Sequence, residues 1–359
     1  MAERENVTKY GISVVPGDGI GNEVVPEGLK VLEAVGAKFG IEYDFEHYDW
    51  NCERFLKTGA MMPEDGLEQL QGCDSIFLGA VGFPGVPDHI SLWGLLIPIR
   101  REFRQYVNLR PIRLLPGLTP PVHGYEAGDI DFYVVRENNE GEYSEIGGRL
   151  YESTEDEVCM QENIFTRKGC ERIMRYAFEL AKSRPRKHLT SATKSNGIVH
   201  TMPYWDERFR EIAADYPEIE TDQYHIDILC AHFVQHPDWF DVVVGSNLFG
   251  DILSDLGPAV TGTIAVAPGA NINPEKEFPS MFEPVHGSAP DIAGQGVANP
   301  IGQIWSGAMM LEHLGEHEAA DAIVKAIETV LADEGAPLTP DMGGNATTGE
   351  LGQAIADAV

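Results

Sequence analysis

An α/β fold built as two lobes follows from three features of the sequence. Strand-like and helix-like segments alternate along the chain, 359 residues with 43% apolar side chains exceed one average domain, and no internal repeat or low-complexity linker interrupts the alternation. Thr8 to Pro16 reads as an apolar strand running into the turn Pro16-Gly17-Asp18-Gly19-Ile20-Gly21. Glu23 to Val35 then sets Val24, Val25, Leu29, Leu32 and Val35 at helical spacing, which completes a strand-turn-helix opening. Ser75 to Gly82 reads as a buried strand, followed by a Gly/Pro loop and a helix with basic residues from Leu92 to Gln105. Ile130 to Arg136 is a further strand, Phe165 to Ser183 a helix, Leu189 to Thr193 a strand and Met202 to Tyr216 a helix. The β-branched run Asp241 to Gly245 leads through Ser246 to Gly250 into another helix, and Glu316 to Asp333 is amphipathic near the end.

Composition narrows the function classes. A formal charge of −31, from 57 acidic and 26 basic residues, rules against a general nucleic-acid-binding surface. Acidic residues such as Glu3, Glu5, Glu23, Glu27, Glu33, Asp206, Glu207, Glu211, Asp215, Glu218 and Glu220 are scattered, so they read as a solvated surface. An acidic surface of this kind is expected of a protein that works at high salt, where counterions screen self-repulsion; full stability at low ionic strength would refute that expectation. The five cysteines (Cys52, Cys73, Cys159, Cys170, Cys230) are odd in number and form no Cys-x-x-Cys pair, which points to reduced thiols rather than a disulfide framework or a zinc site. No run approaches the ~18 apolar residues of a membrane span, and Met1 to Asn6 lacks the cationic and apolar regions of a signal peptide. A cytoplasmic protein with no membrane partner is the expectation.

Two features bear on chemistry. The glycine turn Gly17-Asp18-Gly19-Ile20-Gly21 invites a dinucleotide reading, but G-x-G-x-x-G would require glycine where Asn22 stands, and no Gly-Lys-Ser/Thr follows as in a P-loop. A tight turn before a helix explains it equally well. In Asn247-Leu248-Phe249-Gly250-Asp251-Ile252-Leu253-Ser254-Asp255-Leu256, two aspartates four residues apart share one face at the start of an apolar helix. Such a pair suits Mg²⁺ or Mn²⁺, which take oxygen ligands; it equally suits a solvated first turn favoured by the helix dipole. Asp227 lies in the mostly apolar run Ile226-Asp227-Ile228-Leu229-Cys230-Ala231, where a carboxylate is costly unless it is paired or metal-bound, and a salt bridge inside a core is the alternative.

With these residues in view, the chain resembles the β-decarboxylating dehydrogenases, the family of isocitrate, 3-isopropylmalate and tartrate/D-malate dehydrogenases. The resemblance runs from Pro16 to Gly21, through Asn247 to Asp255, to Gly344-Asn345-Ala346-Thr347-Thr348. It implies the family's two-domain α/β fold, not a classical Rossmann fold, with a cleft between the domains. Residues 1–107 and 262–359 would form a large domain carrying the NAD-binding loops, and 108–261 a small one carrying the dimer interface. Arg100, Arg110 (in Asn108-Leu109-Arg110-Pro111) and Arg136 (in Val135-Arg136-Glu137-Asn138) match the arginines that hold the substrate carboxylates, consistent with guanidinium forks binding carboxylates bidentately. Tyr143 and Lys194 match the catalytic pair, and a lysine beside a metal and arginines can have its pKa lowered enough to act as a base. Glu283-Pro284-Val285-His286-Gly287-Ser288-Ala289-Pro290-Asp291-Ile292, followed by Asn299-Pro300, matches the family's cofactor loop. His286, Gly287, Ser288, Ala289, Asp291 and Asn299 are the residues expected at NAD, with Asp291 accepting from the ribose hydroxyls and repelling a 2′-phosphate, so that NAD is favoured over NADP. The cofactor is thereby expected at this loop and not at the glycine turn.

The resemblance further implies that Asp227, Asp251 and Asp255 bind Mg²⁺ or Mn²⁺, with K⁺ as an additional ion. Lys194 and Asp227 would reach each site from the second subunit of a homodimer. The substrate-facing segment Ser91-Leu92-Trp93-Gly94-Leu95-Leu96-Ile97-Pro98-Ile99-Arg100 lacks the serine and asparagine by which isocitrate enzymes hold a third carboxylate. Leu95, Leu96 and Ile97 could line a pocket for an isopropyl group, whereas Trp93 would crowd it; Trp93 and Leu96 are the residues expected at the substrate's C3 group. The segments Asp88 to Gly94 and Arg136 to Ser144 are most similar to tartrate/D-malate enzymes, which implies oxidation and decarboxylation of D-malate to pyruvate and CO₂, with tartrate as a side substrate. 3-Isopropylmalate is the alternative, ahead of isocitrate or a non-catalytic regulatory subunit; the last would have lost catalytic positions that are all present here.

Overall fold

The computed structural model describes residues 7–359, so the readings made on Met1 to Asn6, including Glu3 and Glu5, lie outside the described residues. The chain forms two compact units: the first takes the chain up to Gln105, Arg113–Ile130 and Pro258–Val359, the second Tyr106–Ile112 and Asp131–Gly257. Residues 113–130, which the sequence division groups with the middle of the chain, pack with the first unit. Their anchors are the Arg113–Glu328 ion pair at 2.7 Å, the Arg113 guanidinium 6.0 Å from the Trp305 ring centre, and the buried Leu114 and Leu115.

The first unit opens with β1 (Thr8–Gly17), α1 (Gly21–Phe39), β2 (Ile41–His47), α2 (Cys52–Thr58), α3 (Gly66–Leu70) and β3 (Ser75–Ala80). Ile12, Val14 and Val15 of β1 and Val24, Val25, Val31, Leu32 and Val35 of α1 are buried, so the helical stripe read from the sequence is the buried face except at Leu29, which is half-buried. Each such side chain contributes about 1.5–3 kcal/mol by leaving water. Gly40 ends α1 in the left-handed conformation, its N–H donating to the Gly36 carbonyl. The single helix expected from Leu92 to Gln105 is instead α4 (Asp88–Ser91), a π-helical turn (Leu92–Leu96) and α5 (Ile97–Glu102).

The second unit contains β4 (Val107–Arg113, of which Arg113 belongs to the first unit), β5 (Asp131–Glu137), β6 (Gly147–Leu150), β7 (Val158–Gln161), α6 (Arg167–Ser183), β8 (His188–Thr193), α7 (Thr201–Ala213), β9 (Glu220–His225), α8 (Ile226–Gln235), β10 (Val242–Gly245) and α9 (Asn247–Thr261, of which the residues from Pro258 belong to the first unit). Its strands run in the order β4-β5-β10-β8-β9, with β5, β10, β8 and β9 parallel. Phe132, Phe233 and Phe240 form its aromatic centre, ring to ring at 4.7–5.7 Å. Asp206, read from the sequence as solvated, is buried and accepts from Thr193 at 2.6 Å and Gln223 at 2.7 Å, while β6 and β7 form a separate exposed hairpin.

The chain returns to the first unit with β11 (Pro268–Ile272), β12 (Ser280–Pro284), α10 (Ile301–Leu314), α11 (His317–Leu331) and α12 (Thr348–Ala358). Here the strand order is β2-β1-β3-β12-β11, parallel except for the antiparallel pair β11 and β12. The C-terminal ends of β1, β3 and β12 therefore lie on one edge, the side on which open α/β sheets hold their ligands. Glu27, also read as solvated, is buried and paired with Lys30 at 2.5 Å. No described helix is long and apolar enough to cross a membrane.

Candidate active site

In the second unit Arg110, at the middle of β4, and Arg136, near the C-terminal end of β5, meet the N-terminal part of α9. Arg136 is 2% exposed; its Nε and Nη2 donate to Asn247 Oδ1 at 3.1 and 2.7 Å, and its Nη1 pairs with Asp251. Tyr143 donates its hydroxyl to the other Asp251 oxygen at 3.0 Å, and its ring centre lies 5.3 Å from the Arg136 guanidinium. One turn along α9, Asp255 accepts from Arg110 at 3.3 Å, and Arg110 is itself held by Asn108 at 2.9 Å. A Cβ at Gly250 would stand 2.5 Å from the Arg136 Cβ, so only glycine allows the start of α9 to come this close to β5.

The scaffold behind these groups is also polar. Glu142 is buried and accepts from Ser246 Oγ at 2.7 Å and the Leu248 N–H at 3.0 Å, which satisfies one of the open N–H groups at the start of α9. Beside it Glu142, Tyr143, Gln161, Asn163, Ile198, Leu248 and Phe249 line a cavity of about 330 Å³. Desolvation raises the Asp255 pKa; Arg110 and Arg136 pull it down and Asp251 pushes it up, and the net direction is up. Two carboxylates one turn apart, flanked by arginines and a phenol, form a hard oxygen-donor pair that a divalent cation would relieve of mutual repulsion.

Lys194, just after β8, donates to Asp227 at 2.7 Å, and this bond holds the Asp227 carboxyl below its ordinary value. Asp227 stands on the first turn of α8 with two thirds of its side chain exposed, so neither a core salt bridge nor a buried carboxylate describes it. Among the described residues no group of three His, Cys, Asp or Glu is placed to hold a metal ion. The three expected ligands divide into Asp251 with Asp255 in one cluster and Asp227 with Lys194 in another.

In the first unit the glycine turn and the His286 loop are in contact. The Ile20 N–H donates to the Ser288 carbonyl at 3.0 Å, and a Cβ at Gly19, which has φ +53°, would stand 2.0 Å from that same oxygen. The buried Asp18 accepts from the N–H groups of Cys52 at 2.9 Å and Gly82 at 3.0 Å, tying the turn to α2 and to the end of β3. Glu23 accepts from Gly294 at 2.6 Å and Gly296 at 2.8 Å, and Ile20, Val24 and Ala298 pack against Ala289, Ile292 and Ala293. Neither Asp18 nor Glu23 is distinguishable in the sequence from a surface acid.

Within that loop His286 Nδ1 is 2.8 Å from the Gly287 carbonyl, and its buried Nε2 has no hydrogen-bond partner. Burial lowers its pKa, which favours the neutral ring. A partnerless ring nitrogen in a glycine-rich loop is what a nucleotide-binding loop without its ligand would present. Asn299 donates to Asp341 at 3.0 Å and its Oδ1 accepts the Ile301 N–H at 3.0 Å, while Asp291 is exposed. Arg100 is buried and paired with Glu283 at 2.7 Å. Leu95 and Leu96 belong to the core cluster with Met61, Ile99 and Phe103, whereas Leu92 and Trp93 keep exposed surface.

The family described as isocitrate/isopropylmalate dehydrogenase matches residues 11–355. The chain is 62% identical over 351 residues to D-malate dehydrogenase [decarboxylating] of Escherichia coli (strain K12), covering 96% of this chain and 97% of that one. It is 57% identical over 358 residues to tartrate dehydrogenase/decarboxylase of Pseudomonas putida, covering 98% of each. Among solved structures, isocitrate dehydrogenase from Methylococcus capsulatus aligns with a TM-score of 0.86 at 35% identity, over 97% of this chain and 99% of the other. A match of this length, with arginines, tyrosine and aspartates gathered as described, makes the chain a member of the isocitrate/isopropylmalate dehydrogenase family.

Proposed function

We propose that this chain is an NAD-dependent decarboxylating dehydrogenase that converts D-malate to pyruvate and CO₂ and also accepts tartrate. The observation that carries the reading is the junction at Asp251, where Arg136 and Tyr143 meet one carboxylate a helical turn from Asp255 and Arg110. The identity of 62% to D-malate dehydrogenase of Escherichia coli and 57% to tartrate dehydrogenase/decarboxylase of Pseudomonas putida supports the choice of substrate.

Asp251 and Asp255, with Asp227 of a second copy, would hold Mg²⁺ or Mn²⁺, which when bound supplies Lewis-acid stabilisation of negative charge on the substrate's C2 oxygen. The loop from His286 to Asn299 would hold NAD, which when bound supplies the acceptor for the hydride lost from C2. Arg110 and Arg136 bind and orient substrate carboxylates by paired N–H donors, and Arg100 has the same expected role. Lys194 takes the C2 hydroxyl proton as the hydride leaves, giving a 2-keto diacid. The C3–C4 bond then breaks, its electron pair passes into the enolate and CO₂ departs. Tyr143 delivers the proton that C3 needs.

A homodimer with shared sites fits the separate placement of the Lys194–Asp227 pair and the apolar surface that Ile146, Leu150, Val158 and Met160 of the hairpin region and Ile228 and Val234 of α8 leave exposed. Loss of specific activity on dilution to monomer is the expected result; unchanged activity after demonstrable dissociation refutes sharing. Initial rates with D-malate, tartrates, 3-isopropylmalate and isocitrate, each with NAD or NADP and with Mg²⁺, Mn²⁺ or K⁺ omitted in turn, test the whole reading. The highest kcat/KM is expected with D-malate and NAD, and exclusive turnover of 3-isopropylmalate overturns it.

A further inference from the structure

The π-helical turn Leu92–Leu96 separates the roles of two adjacent arginines, Arg100 and Arg101, that an unbroken helix would place differently. In an α-helix each residue turns about 100°, so positions seven apart nearly eclipse and positions eight apart diverge by about 80°. A π turn closes i to i+5 and so acts as one inserted residue. Counted that way, Trp93 and Arg101 are effectively seven apart and share a face, whereas Trp93 and Arg100 are effectively six apart and do not.

The side chains follow this count. The Arg101 guanidinium lies 4.7 Å from the Trp93 ring centre, in cation–π range. Arg100 turns inward, is 7% exposed and pairs with Glu283 at 2.7 Å. Two further contacts hold the turn in place. Leu95 is fully buried in the core, and Gly94 lies against Met61, whose Cγ would be 2.7 Å from any Cβ added there. The turn is thus anchored on one side by packing, and the indole on its other side is fixed by Arg101.

We propose that Arg101 is a positioning residue that fixes the Trp93 indole and thereby sets how large a C3 substituent the enzyme accepts. The inference rests on the proposed function and on the expectation, drawn from the family resemblance, that Trp93 stands at the substrate's C3 group. A held indole favours hydrogen or hydroxyl at C3 over a branched alkyl group; a released one yields the space. Arg101 touches no reacting atom in this account and acts only through Trp93.

The test is a double-mutant cycle of R101M and W93A, read as the ratio of kcat/KM for D-malate to that for 3-isopropylmalate, with thermal melts to establish that each variant folds. R101M is expected to lower this ratio about threefold to tenfold, the scale of a cation–π contact. R101K should restore part of it, and R101M should add nothing in the W93A background. An unchanged ratio in R101M, or an equal effect of R101M with and without Trp93, overturns the proposal. Acrylamide quenching supplies a readout independent of substrate: the fluorescence component lost in W93F should become more quenchable in R101M. If neither D-malate nor tartrate is turned over, the functional reading fails while quenching still decides the clamp, and an unaltered Trp93 component refutes it.

Discussion

The two candidate sites are built from different materials. The cluster in the second unit is made of side-chain charge: Arg110, Arg136, Asp251 and Asp255 with the phenol of Tyr143 between them. The loop site in the first unit is made of backbone: Gly19 against Ser288, and Gly294 and Gly296 donating N–H groups to Glu23. A charge-built site tolerates isosteric change in shape but not change in charge. A backbone-built site is the reverse, because a single added methyl group displaces a main-chain contact.

That contrast orders the expected effects. Replacing Asp251 by Asn keeps volume and removes the charge that Arg136 and Tyr143 both meet, so kcat should fall on the order of 10²–10³-fold, with weakened Mg²⁺ or Mn²⁺ affinity by titration and a melting temperature within a few degrees of the parent. Activity above a tenth of the parent would break the distinction. Gly19→Ala adds no charge, yet its Cβ at φ +53° would meet the Ser288 carbonyl at 2.0 Å. A cost of about 1–3 kcal/mol for the strained backbone, plus displacement of the loop, should lower the melting temperature and raise the KM for NAD about tenfold while leaving the KM for D-malate near its starting value. Equal change in both KM values would mean that the loop and the charge cluster are not separable.

The histidines extend the comparison to pH. Burial, aided by Lys276, pushes His313 in the first unit down to about 4. Its folded pKa is below the unfolded value of about 6.5, so the unfolded chain binds more protons between those limits and stability falls as pH drops through them, by at most about 3 kcal/mol. Denaturation followed from pH 7 to 4 should therefore show a slope that His313→Gln reduces. His188 in the second unit goes the other way: its bond to Asp222 raises its pKa despite desolvation. The contribution of this pair is complete below the unfolded histidine pKa and is lost as pH rises through the raised folded value. Asp222 is raised by desolvation but lowered on balance by His188, Thr190 and Tyr224, so its contribution fades only as pH falls through its depressed carboxyl pKa. Asp222→Asn should flatten the alkaline side by no more than about 1 kcal/mol, the scale of a partly exposed pair. An equal slope from both histidines in one direction would contradict the assignment.

Of the charge cluster, only the aspartate pair is legible in the sequence from its spacing; Arg110, Arg136 and Tyr143 are picked out by the family resemblance. Asp251 and Asp255 stand four apart on one helix, and each arginine sits in a recognisable local motif. What the string of residues does not encode is which side chain meets which. Asp227, judged from its apolar neighbours, looked buried, but the run is a helix whose first turn faces solvent, and its partner is Lys194.

The sequence by itself determined the alternating α/β order and most of the buried face of α1, because hydrophobic periodicity is a property of neighbours along the chain. The tertiary structure alone decided three other matters: that the glycine turn and the His286 loop form one cradle, that a π turn ahead of α5 puts Arg101 rather than Arg100 beside Trp93, and that residues 113–130 pack with the first unit. Each depends on contacts between segments distant in sequence or on one inserted residue of helical register. Close packing sets such contacts across the fold, and no local pattern of residues carries them.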